Sequence, residues 1–320
     1  MGDRLLHVAN GLSVTGTLEA AGVPGQMSIW GDVLYEGPVP AGLSDDELME
    51  VRRQFLAGDS PPVDPRIDLR VWRSALAAHH TYDELVLWYE HDMFDQLNLI
   101  QLLPRIRALV PREKPVSMIC IGSFPGRPDF KGLGELSPDE LASLLPTRRP
   151  VTDAQYALAE RAWTAFRAPT PEPLDHLRRT DTSALPFLAP ALERFLQEYP
   201  WTRDGLSRTE RHLLQLAEQA PMTFATAFPR MQDGERFYCV TDGTLDSLAS
   251  ELCRVSPPLL AVVDRTWQLT DAGREVLAGR RDRVACGLDR WLGGVHLQTE
   301  NGTPWRWDDN ASSMRVLPKP

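Results

Sequence analysis

A cluster of ionisable residues lies near position 90, directly after a short apolar run. Carboxylates, one imidazole and one amide follow closely on one another, and these are Glu90, His91, Asp92, Asp95 and Gln96. Carboxylate oxygens are the ligands that Mg²⁺ and Mn²⁺ prefer, and an imidazole titrates close enough to neutral pH to act as a general base. The pattern therefore predicts metal-assisted or acid–base chemistry, with His91, Asp92 and Asp95 as the catalytic residues.

The segments around these residues predict how they are positioned. Leu85 to Tyr89 is nearly all apolar, which is typical of a strand buried on both faces. From Asp92 onward the apolar residues recur at helical spacing, and Asp92 or Asp95 can cap the N-terminus of that helix. A buried strand that ends in polar side chains and leads into a helix is where an open α/β sheet binds its ligand.

Three further short apolar strands, with helices between them, extend this pattern over the N-terminal part of the chain. The alternation predicts a Rossmann-like α/β domain over residues 1–135, with a doubly wound, mostly parallel sheet and helices on both faces. The loops after parallel strands meet at one edge of the sheet, which brings more polar residues toward the crevice. The predicted ligand-binding residues there are Asn10, Gly11, Ser13, Asp32, Glu36, Glu90, Gln96 and Arg127.

Charge repulsion limits what this crevice can be. Several carboxylates stay ionised together only when a cation, an arginine or a lysine compensates them, so we predict a divalent metal held by Asp32, Glu90 and Asp92. The strand end at Asn10, followed by Ser13 as the expected helix cap, can hold an anion at the helix N-terminus, although it lacks the lysine of a P-loop. The alternative interpretation is structural, with the aspartates capping helices or shaping turns.

The remainder of the sequence is predicted to be mainly helical, with a connecting region over residues 136–202 and a last unit over residues 203–320. In that unit three helices, a hairpin and a closing helix are typical of a winged-helix-like module. Its expected recognition helix, Thr244–Arg254, carries Asp246 and Glu251 against one arginine, so that DNA phosphates would repel it. We therefore expect packing or protein contact rather than DNA binding.

A tryptophan-rich hairpin is predicted to close the C-terminal unit. Its Gly293-Gly294 turn can close over the crevice and supply His296 as a further ligand-binding residue. Three tryptophans in this stretch indicate that it packs against the rest of the protein.

The composition argues against some classes of function. The 320 residues carry a formal net charge of −10 with a pI near 5.2, which opposes broad attraction to nucleic acid or to an anionic membrane. No apolar run reaches the roughly 18 residues of a membrane span, and the first residues show no signal-peptide pattern. The four cysteines are scattered along the sequence, which fits a reduced, cytoplasmic protein.

Three phrases of the sequence resemble a bacterial family. They are His7-Val8-Ala9-Asn10-Gly11-x-Ser13, Trp30-x-Asp32-Val33-Leu34-x-Glu36-Gly37-Pro38-Val39 and Glu90-His91-Asp92-x-Phe94-Asp95-Gln96-Leu97. The family is known as a domain of unknown function, number 1835, and the later Trp291–His296 and Trp305–Asp308 stretches are similar to the ends of its longer members. An aspartate often stands in the family where this sequence has Leu12, which argues against a carboxylate role there. The resemblance supports the domain organisation and implies no activity.

The sequence thus predicts an enzyme that binds a small phosphorylated or nucleotide-like ligand at the C-terminal edge of the parallel sheet. Its candidate cofactor is Mg²⁺ or Mn²⁺, and its expected reaction is metal-assisted hydrolysis or phosphoryl transfer. Two alternatives stay open. One is a ligand-sensing regulator whose winged-helix-like module contacts DNA or a protein, and the other is a scaffolding protein that acts through a protein partner or by self-association.

Overall fold

The computed structural model describes residues 4–57, 68–300 and 305–317, and the parts of the predicted domains that fall elsewhere lie outside the described residues. Over these ranges the protein is a mixed α/β fold with one five-stranded sheet and three two-stranded sheets. The strands are β1 (Leu5–Ala9), β2 (Gln26–Ile29), β3 (Glu84–Glu90), β4 (Val116–Ile121), β5 (Arg149–Pro150), β6 (Leu260–Val263), β7 (Thr266–Leu269), β8 (Asp289–Leu292), β9 (Val295–Gln298), β10 (Trp305–Asp308) and β11 (Ser313–Val316). The α-helices are α1 (Leu12–Ala20), α2 (Asp45–Ala57), α3 (Leu69–Ala77), α4 (Met93–Leu109), α5 (Pro138–Ala142), α6 (Asp153–Phe166), α7 (Glu172–Leu177), α8 (Leu188–Leu196), α9 (Arg208–Gln219), α10 (Phe224–Met231), α11 (Asp242–Arg254) and α12 (Asp271–Leu277).

The five-stranded sheet has the order β2-β1-β3-β4-β5, in which the first four strands are parallel and β5 is antiparallel. β1 lies between β2 and β3, so that Val8 pairs with Ser28 on one side and with Leu87 on the other. The central strand β3 is almost completely buried, which explains its long apolar run. The predicted mostly parallel α/β sheet is confirmed.

Alternate residues of β1 belong to two separate apolar cores. Leu6 and Val8 belong to a large core that includes α4, whereas Leu5 and Ala9 belong to a smaller core. Apolar residues of α1 and of the segment 130–145 complete the smaller core. Because successive residues of a strand point to opposite faces, helical segments cover both faces of the sheet, as the sequence predicted.

His7 of β1 is fully buried in a hydrogen-bonded arrangement. Its Nδ1 accepts from the Trp88 indole at 3.0 Å, and its Nε2 lies 3.1 Å from the Pro24 carbonyl oxygen. Burial lowers the pKa of His7, and a neutral ring with its proton on Nε2 satisfies both contacts. The interruption that His7 makes in the apolar pattern of β1 is therefore structural.

The predicted helical connecting region also contributes a strand to the sheet. β5 pairs with β4, with Met118 opposite Arg149. A strand of two residues gives no periodic signal in the sequence, and Pro150 is tolerated because an edge position needs no further N–H donor. Beside it, Arg148 forms an ion pair with Glu84 of β3 at 2.8 Å, which fixes this edge.

The C-terminal part contains α9, α10 and α11, followed by the β6–β7 hairpin, α12 and two further two-stranded sheets. α9 contacts α10, α12 and β7. Trp307 of β10 is fully buried in the large core, so the expectation that the tryptophan-rich end packs against the protein is confirmed. Among the described helices, none combines the length and the apolar character that a membrane crossing requires.

The loop after β2 is fixed by a buried ion pair. Asp32 and Arg52 of α2 are fully buried, and two guanidinium nitrogens donate to the Asp32 carboxylate at 2.7 and 2.9 Å. Arg52 also donates to the carbonyl oxygens of Val33 and Glu36, at 2.8 and 2.6 Å. Asn98 of α4 bonds the backbone of Asp32 through both its oxygen and its nitrogen. Such a pair holds the loop in place, but removal of either partner leaves a buried charge uncompensated.

We expect Arg52→Met to lower the free energy of unfolding by about 3–5 kcal/mol, because the Asp32 carboxylate then stays buried without its counter-charge. Arg53→Met is the matched control. Arg53 pairs with Glu50 at the partly exposed surface of the same helix, and loss of that pair should cost less than about 1 kcal/mol. Urea denaturation measures both effects, and equal destabilisation by the two substitutions would contradict this role of Arg52.

Candidate functional site

The carboxyl end of β3 brings three carboxylates together. Glu90 is the last residue of β3, Asp92 is the N-cap of α4, and Asp95 lies in the first turn of that helix. One carboxylate oxygen from each residue lies within 4.8 Å of the other two, and all three residues are buried. We call these three residues the carboxylate cluster. The sequence named all three as site residues, and the fold brings them together.

The position of the carboxylate cluster follows from the sheet topology. The chain leaves β1 through α1 to β2 on one side and returns to β3 on the other side of β1. Connections that leave neighbouring parallel strands in opposite directions open a crevice between the carboxyl ends of those strands. Asn10, directly after β1, donates from Nδ2 to Asp95 Oδ1 at 2.9 Å. Asn10, another residue named from the sequence, therefore contacts the cluster directly.

Backbone and side-chain donors hold the carboxylates in place. Asp92 accepts from the amide of Asp95 at 2.8 Å, which is the helix cap predicted from the sequence. Asp95 accepts from the amide of Glu90 at 2.6 Å, and Glu90 accepts from the amide of Leu133. Gln96 donates to the carbonyl oxygen of Glu90 at 2.7 Å, so it orients the end of the strand and not a carboxylate.

Burial and mutual repulsion make the carboxylate cluster hard to ionise. Burial raises the pKa of Glu90 to about 8, with a contribution from the Asp92 charge, and burial raises the pKa of Asp92 to about 6. Burial and both neighbouring charges raise the pKa of Asp95 well above its usual value. No lysine or arginine of the described ranges is among the charges that perturb these three groups. At neutral pH the cluster therefore holds protons or a cation.

One segment that lies against the cluster comes from the loop after β4. The amide of Leu133 makes the hydrogen bond to Glu90, and a Cβ atom at Gly132 would lie only 2.2 Å from Glu90 Oε1. A glycine at position 132 thus leaves room for the carboxylate. Sequence analysis did not identify this segment, because it is distant in the chain and carries no motif.

A second segment, residues 235–238, completes the enclosure. The carbonyl oxygen of Phe237 accepts from the amide of Met93 at 2.7 Å. Lys131 donates to the carbonyl oxygen of Glu235 at 2.7 Å, which joins this segment to the first one. We call residues 131–135 and 235–238 the cover. Each residue of the carboxylate cluster keeps at most 7% of its surface exposed.

Aromatic rings surround the imidazole of His91. The ring centroids of Phe130, Phe187 and Phe237 lie 6.2, 6.1 and 5.6 Å from its own. One ring nitrogen is hydrogen-bonded to the carbonyl of Arg236, while Nδ1 has no partner among the described residues. Burial lowers the pKa of His91, so the ring is neutral at pH 7. Its role as a general base stays a prediction, since no hydrogen bond in the described ranges joins it to the carboxylate cluster.

Two residues that the sequence placed in the crevice have their own partners elsewhere. Asp32, a predicted metal ligand, is bound to Arg52 and is not grouped with the carboxylate cluster. Arg127 pairs with Glu140 at 2.7 Å on a half-exposed surface, and so does not compensate the cluster. In both cases a partner of opposite charge binds the side chain away from the carboxylate cluster.

The N-terminus of α1 also differs from its prediction. The helix begins at Leu12, with Gly11 as the N-cap in an extended conformation, so the expectation that Ser13 caps it is wrong. No side chain of the described residues is seen to cap this helix end, and Ser13 is exposed in the first turn. A Cβ atom at Gly11 would meet no atom within 4 Å. The predicted anion-binding end of the helix therefore has free space next to its N-cap.

His296 lies in its own hairpin and not in the crevice. It stacks on Trp291, with ring centroids 4.4 Å apart, and its Nε2 lies 2.6 Å from Asp289 Oδ1. The hairpin turn does reach the α/β part, where the amide of Val39 donates to the carbonyl of Gly293 at 2.9 Å. This contact leaves His296 outside the carboxylate cluster.

Glu36 lies at a separate cavity of about 290 Å³ between the loop after β2 and the C-terminal part. Thr244 of α11 donates from its hydroxyl to Glu36 Oε1 at 2.6 Å. The aromatic residues Tyr35, Tyr238 and Trp291 also line this cavity, and sequence analysis did not connect them because they come from three distant segments.

Comparison with known proteins adds no family to this description. A scan of the sequence against models of protein families gives no match, and a search among curated proteins gives none either.

We expect Glu90→Gln to raise the free energy of unfolding at pH 8, in the presence of a chelator, on the order of 1–3 kcal/mol. In the folded state the pKa of Glu90 is about 8, above its unfolded value, so the contribution of Glu90 to stability becomes less favourable as pH rises between roughly 4.5 and 8. The variant lacks this change, and its advantage should fade toward pH 5. Urea denaturation across this range tests the expectation, with exposed Glu113→Gln as the control. A variant that is less stable than wild type at pH 8 would contradict the assignment.

Proposed function

We propose that the protein is an enzyme that uses a divalent cation, Mg²⁺ or Mn²⁺, to act on a small phosphorylated or nucleotide-like ligand. The observation that carries this proposal is the carboxylate cluster, whose three oxygen ligands are buried close together without a basic partner in the described ranges. A divalent cation would remove the repulsion that raises their pKa values. Three protein oxygens also leave coordination positions for water and for a ligand oxygen.

The N-terminus of α1 is the proposed binding site for the phosphoryl group. Its first amides have no side-chain cap at Gly11, and uncapped amides at a helix N-terminus bind anions. The hydrogen bond between Asn10 and Asp95 connects this helix end to the carboxylate cluster. An anion at Gly11 and a cation at the cluster would therefore be neighbours, as metal-assisted phosphoryl chemistry requires.

His91 is the proposed base for this reaction. Its imidazole is neutral at pH 7, and its Nδ1 carries a lone pair with no partner among the described residues. The bound cation would polarise the phosphoryl group and lower the pKa of a coordinated water. Phe237 of the cover packs against His91, so ligand entry needs the cover to move, and its return would exclude bulk water.

The strand order and the helices on both faces of the sheet support a ligand site at the carboxylate cluster. We infer that the N-terminal part is Rossmann-like and doubly wound, because the strand order reverses at β1 and helices cover both faces of the sheet. Sheets of this kind bind ligands beside such a reversal. Membership of the bacterial family number 1835 is likewise a proposal, which rests on the sequence phrases and contributes no mechanism.

The C-terminal part is proposed to be a packing module of winged-helix type. Its order of three helices and a hairpin supports this type. Its expected recognition helix, α11, is engaged within the chain, since Thr244 contacts Glu36 and Glu251 pairs with Arg283 at 2.6 Å. A helix held in this way and carrying acidic residues is poorly suited to enter a DNA groove. These contacts favour the enzyme over a DNA-binding regulator.

We expect Mn²⁺ to stabilise the wild-type protein, by about 2.7 kcal/mol at about 100 times its dissociation constant. The stabilisation should grow from pH 6 to pH 8, because the cation displaces protons from groups whose pKa values are about 6 and about 8. Thermal unfolding and calorimetric titration measure the two effects.

Asp92→Asn and Glu90→Gln should each remove most of this Mn²⁺ stabilisation, since each replaces an anionic ligand by a neutral amide. Glu113→Gln, at an exposed site, should respond as the wild type does. Equal stabilisation of all the variants would place the cation elsewhere and remove the basis of the proposed function.

We expect His91→Asn to lower the rate of Mn²⁺-dependent phosphate release by roughly 10²–10⁴-fold, the range typical of a lost general base. The measurement uses a panel of nucleotides and sugar phosphates with the wild-type protein as reference. Mn²⁺ affinity should change little, because the imidazole has no hydrogen bond to the cluster among the described residues. If the Mn²⁺-loaded wild type releases phosphate from no compound of the panel, the cation site is structural and the enzymatic proposal fails.

A further inference from the structure

A cavity of about 290 Å³ lies between the loop after β2 and the C-terminal part, away from the carboxylate cluster. Four aromatic rings line it, and they belong to Tyr35, Phe55, Tyr238 and Trp291. The rings of Tyr35 and Tyr238 meet edge to face, with centroids 5.2 Å apart, which fixes one wall. The volume is close to the lower end of the range for small-molecule sites.

Most of the charges beneath this cavity compensate one another. Glu198 pairs with Arg194 at 2.5 Å. Glu251 pairs with Arg283 at 2.6 Å and with Arg290 at 3.1 Å. In the described part of the chain, the basic side chains near the cavity therefore already have carboxylate partners, which disfavours an anionic ligand.

Glu36 differs from Glu198 and Glu251, which are paired with arginines. Asp289, the fourth carboxylate of the lining, lies 2.6 Å from His296 Nε2 in its own hairpin. Glu36 Oε1 accepts from the Thr244 hydroxyl at 2.6 Å, and no ion pair joins Glu36 to a basic side chain within the described ranges. Arg52 lies nearby, but it donates a hydrogen bond to the backbone carbonyl of Glu36, and its ion pair is with Asp32. The Glu36 carboxylate therefore lines the aromatic cavity without a basic partner among the described residues.

We propose that this cavity binds a small organic cation, an ammonium group attached to an apolar or aromatic body. Ring faces attract a cation through the π system, and a carboxylate beside them adds a charge-assisted hydrogen bond. The ammonium group would lie at Glu36, and the apolar body would contact Tyr35, Tyr238 and Trp291. The proposal does not depend on a metal at the carboxylate cluster.

The test is calorimetric titration of the full chain with phenethylammonium chloride, with 2-phenylethanol and 3-phenylpropionate as the neutral and anionic analogues. We expect the ammonium compound to bind with a dissociation constant of about 1 mM or lower, and its affinity to fall as salt is added. The two analogues should bind at least about tenfold more weakly.

Glu36→Gln keeps an oxygen to accept from Thr244 but removes the charge, so the fold should persist while the affinity for phenethylammonium falls roughly tenfold. Trp291→Leu should weaken binding of the ammonium compound by a similar factor, and Glu113→Gln is the control for loss of a surface charge. Unchanged affinity in Glu36→Gln, equal binding of 2-phenylethanol, or no binding of the ammonium compound would each overturn the proposal.

Discussion

The removal of water from three neighbouring carboxylates is the constraint on which the site depends. Glu90, Asp92 and Asp95 are buried, and one carboxylate oxygen of each lies within 4.8 Å of the other two. Burial raises the pKa of each group, and neighbouring carboxylate charges raise those of Glu90 and Asp95 further. The hydrogen bonds that they accept come from neutral donors, namely backbone amides and Asn10. Such bonds favour the ionised form of one group but do not cancel the repulsion between groups. A cation bound at the cluster would compete with protons for the same oxygens, so its occupancy would be linked to the ionisation of the cluster.

The same protein compensates another buried carboxylate in a different way. Asp32 lies just after β2, much as Glu90 lies at the end of β3. The Arg52 guanidinium binds the Asp32 carboxylate, and the side-chain amide of Asn98 binds the Asp32 backbone. Arg52 provides both charge and geometry, and it ties the loop to α2 at the same time. An acidic residue at the carboxyl end of a strand is thus no evidence of a ligand site by itself. The presence or absence of a buried counter-charge separates the two cases.

The features that depend on neighbours in the sequence could be predicted. The strand β3, the start of α4 and the Asp92 cap follow from apolar periodicity and capping chemistry, and the grouping of Glu90 with Asp95 follows from them. The features that depend on distant segments could not. The sequence around Arg52 does not distinguish a buried partner of Asp32 from an ordinary solvated arginine. The sequence around Gly132 likewise does not indicate that this glycine leaves room for Glu90.

Residues 235–238 connect the two sites physically. Glu235 pairs with Arg194 at 2.9 Å, which anchors this segment. Phe237 and Tyr238, which follow it in the chain, make contacts at different sites. The carbonyl of Phe237 bonds to the first residue of α4 at the carboxylate cluster, while the side chain of Tyr238 lines the aromatic cavity. One peptide unit separates these contacts, so the cover and one wall of the cavity share a continuous stretch of backbone. If a ligand in the cavity changes the affinity of the carboxylate cluster for a cation by some factor, thermodynamic reciprocity requires the converse effect. A cation at the cluster must then change the affinity of the cavity for its ligand by the same factor.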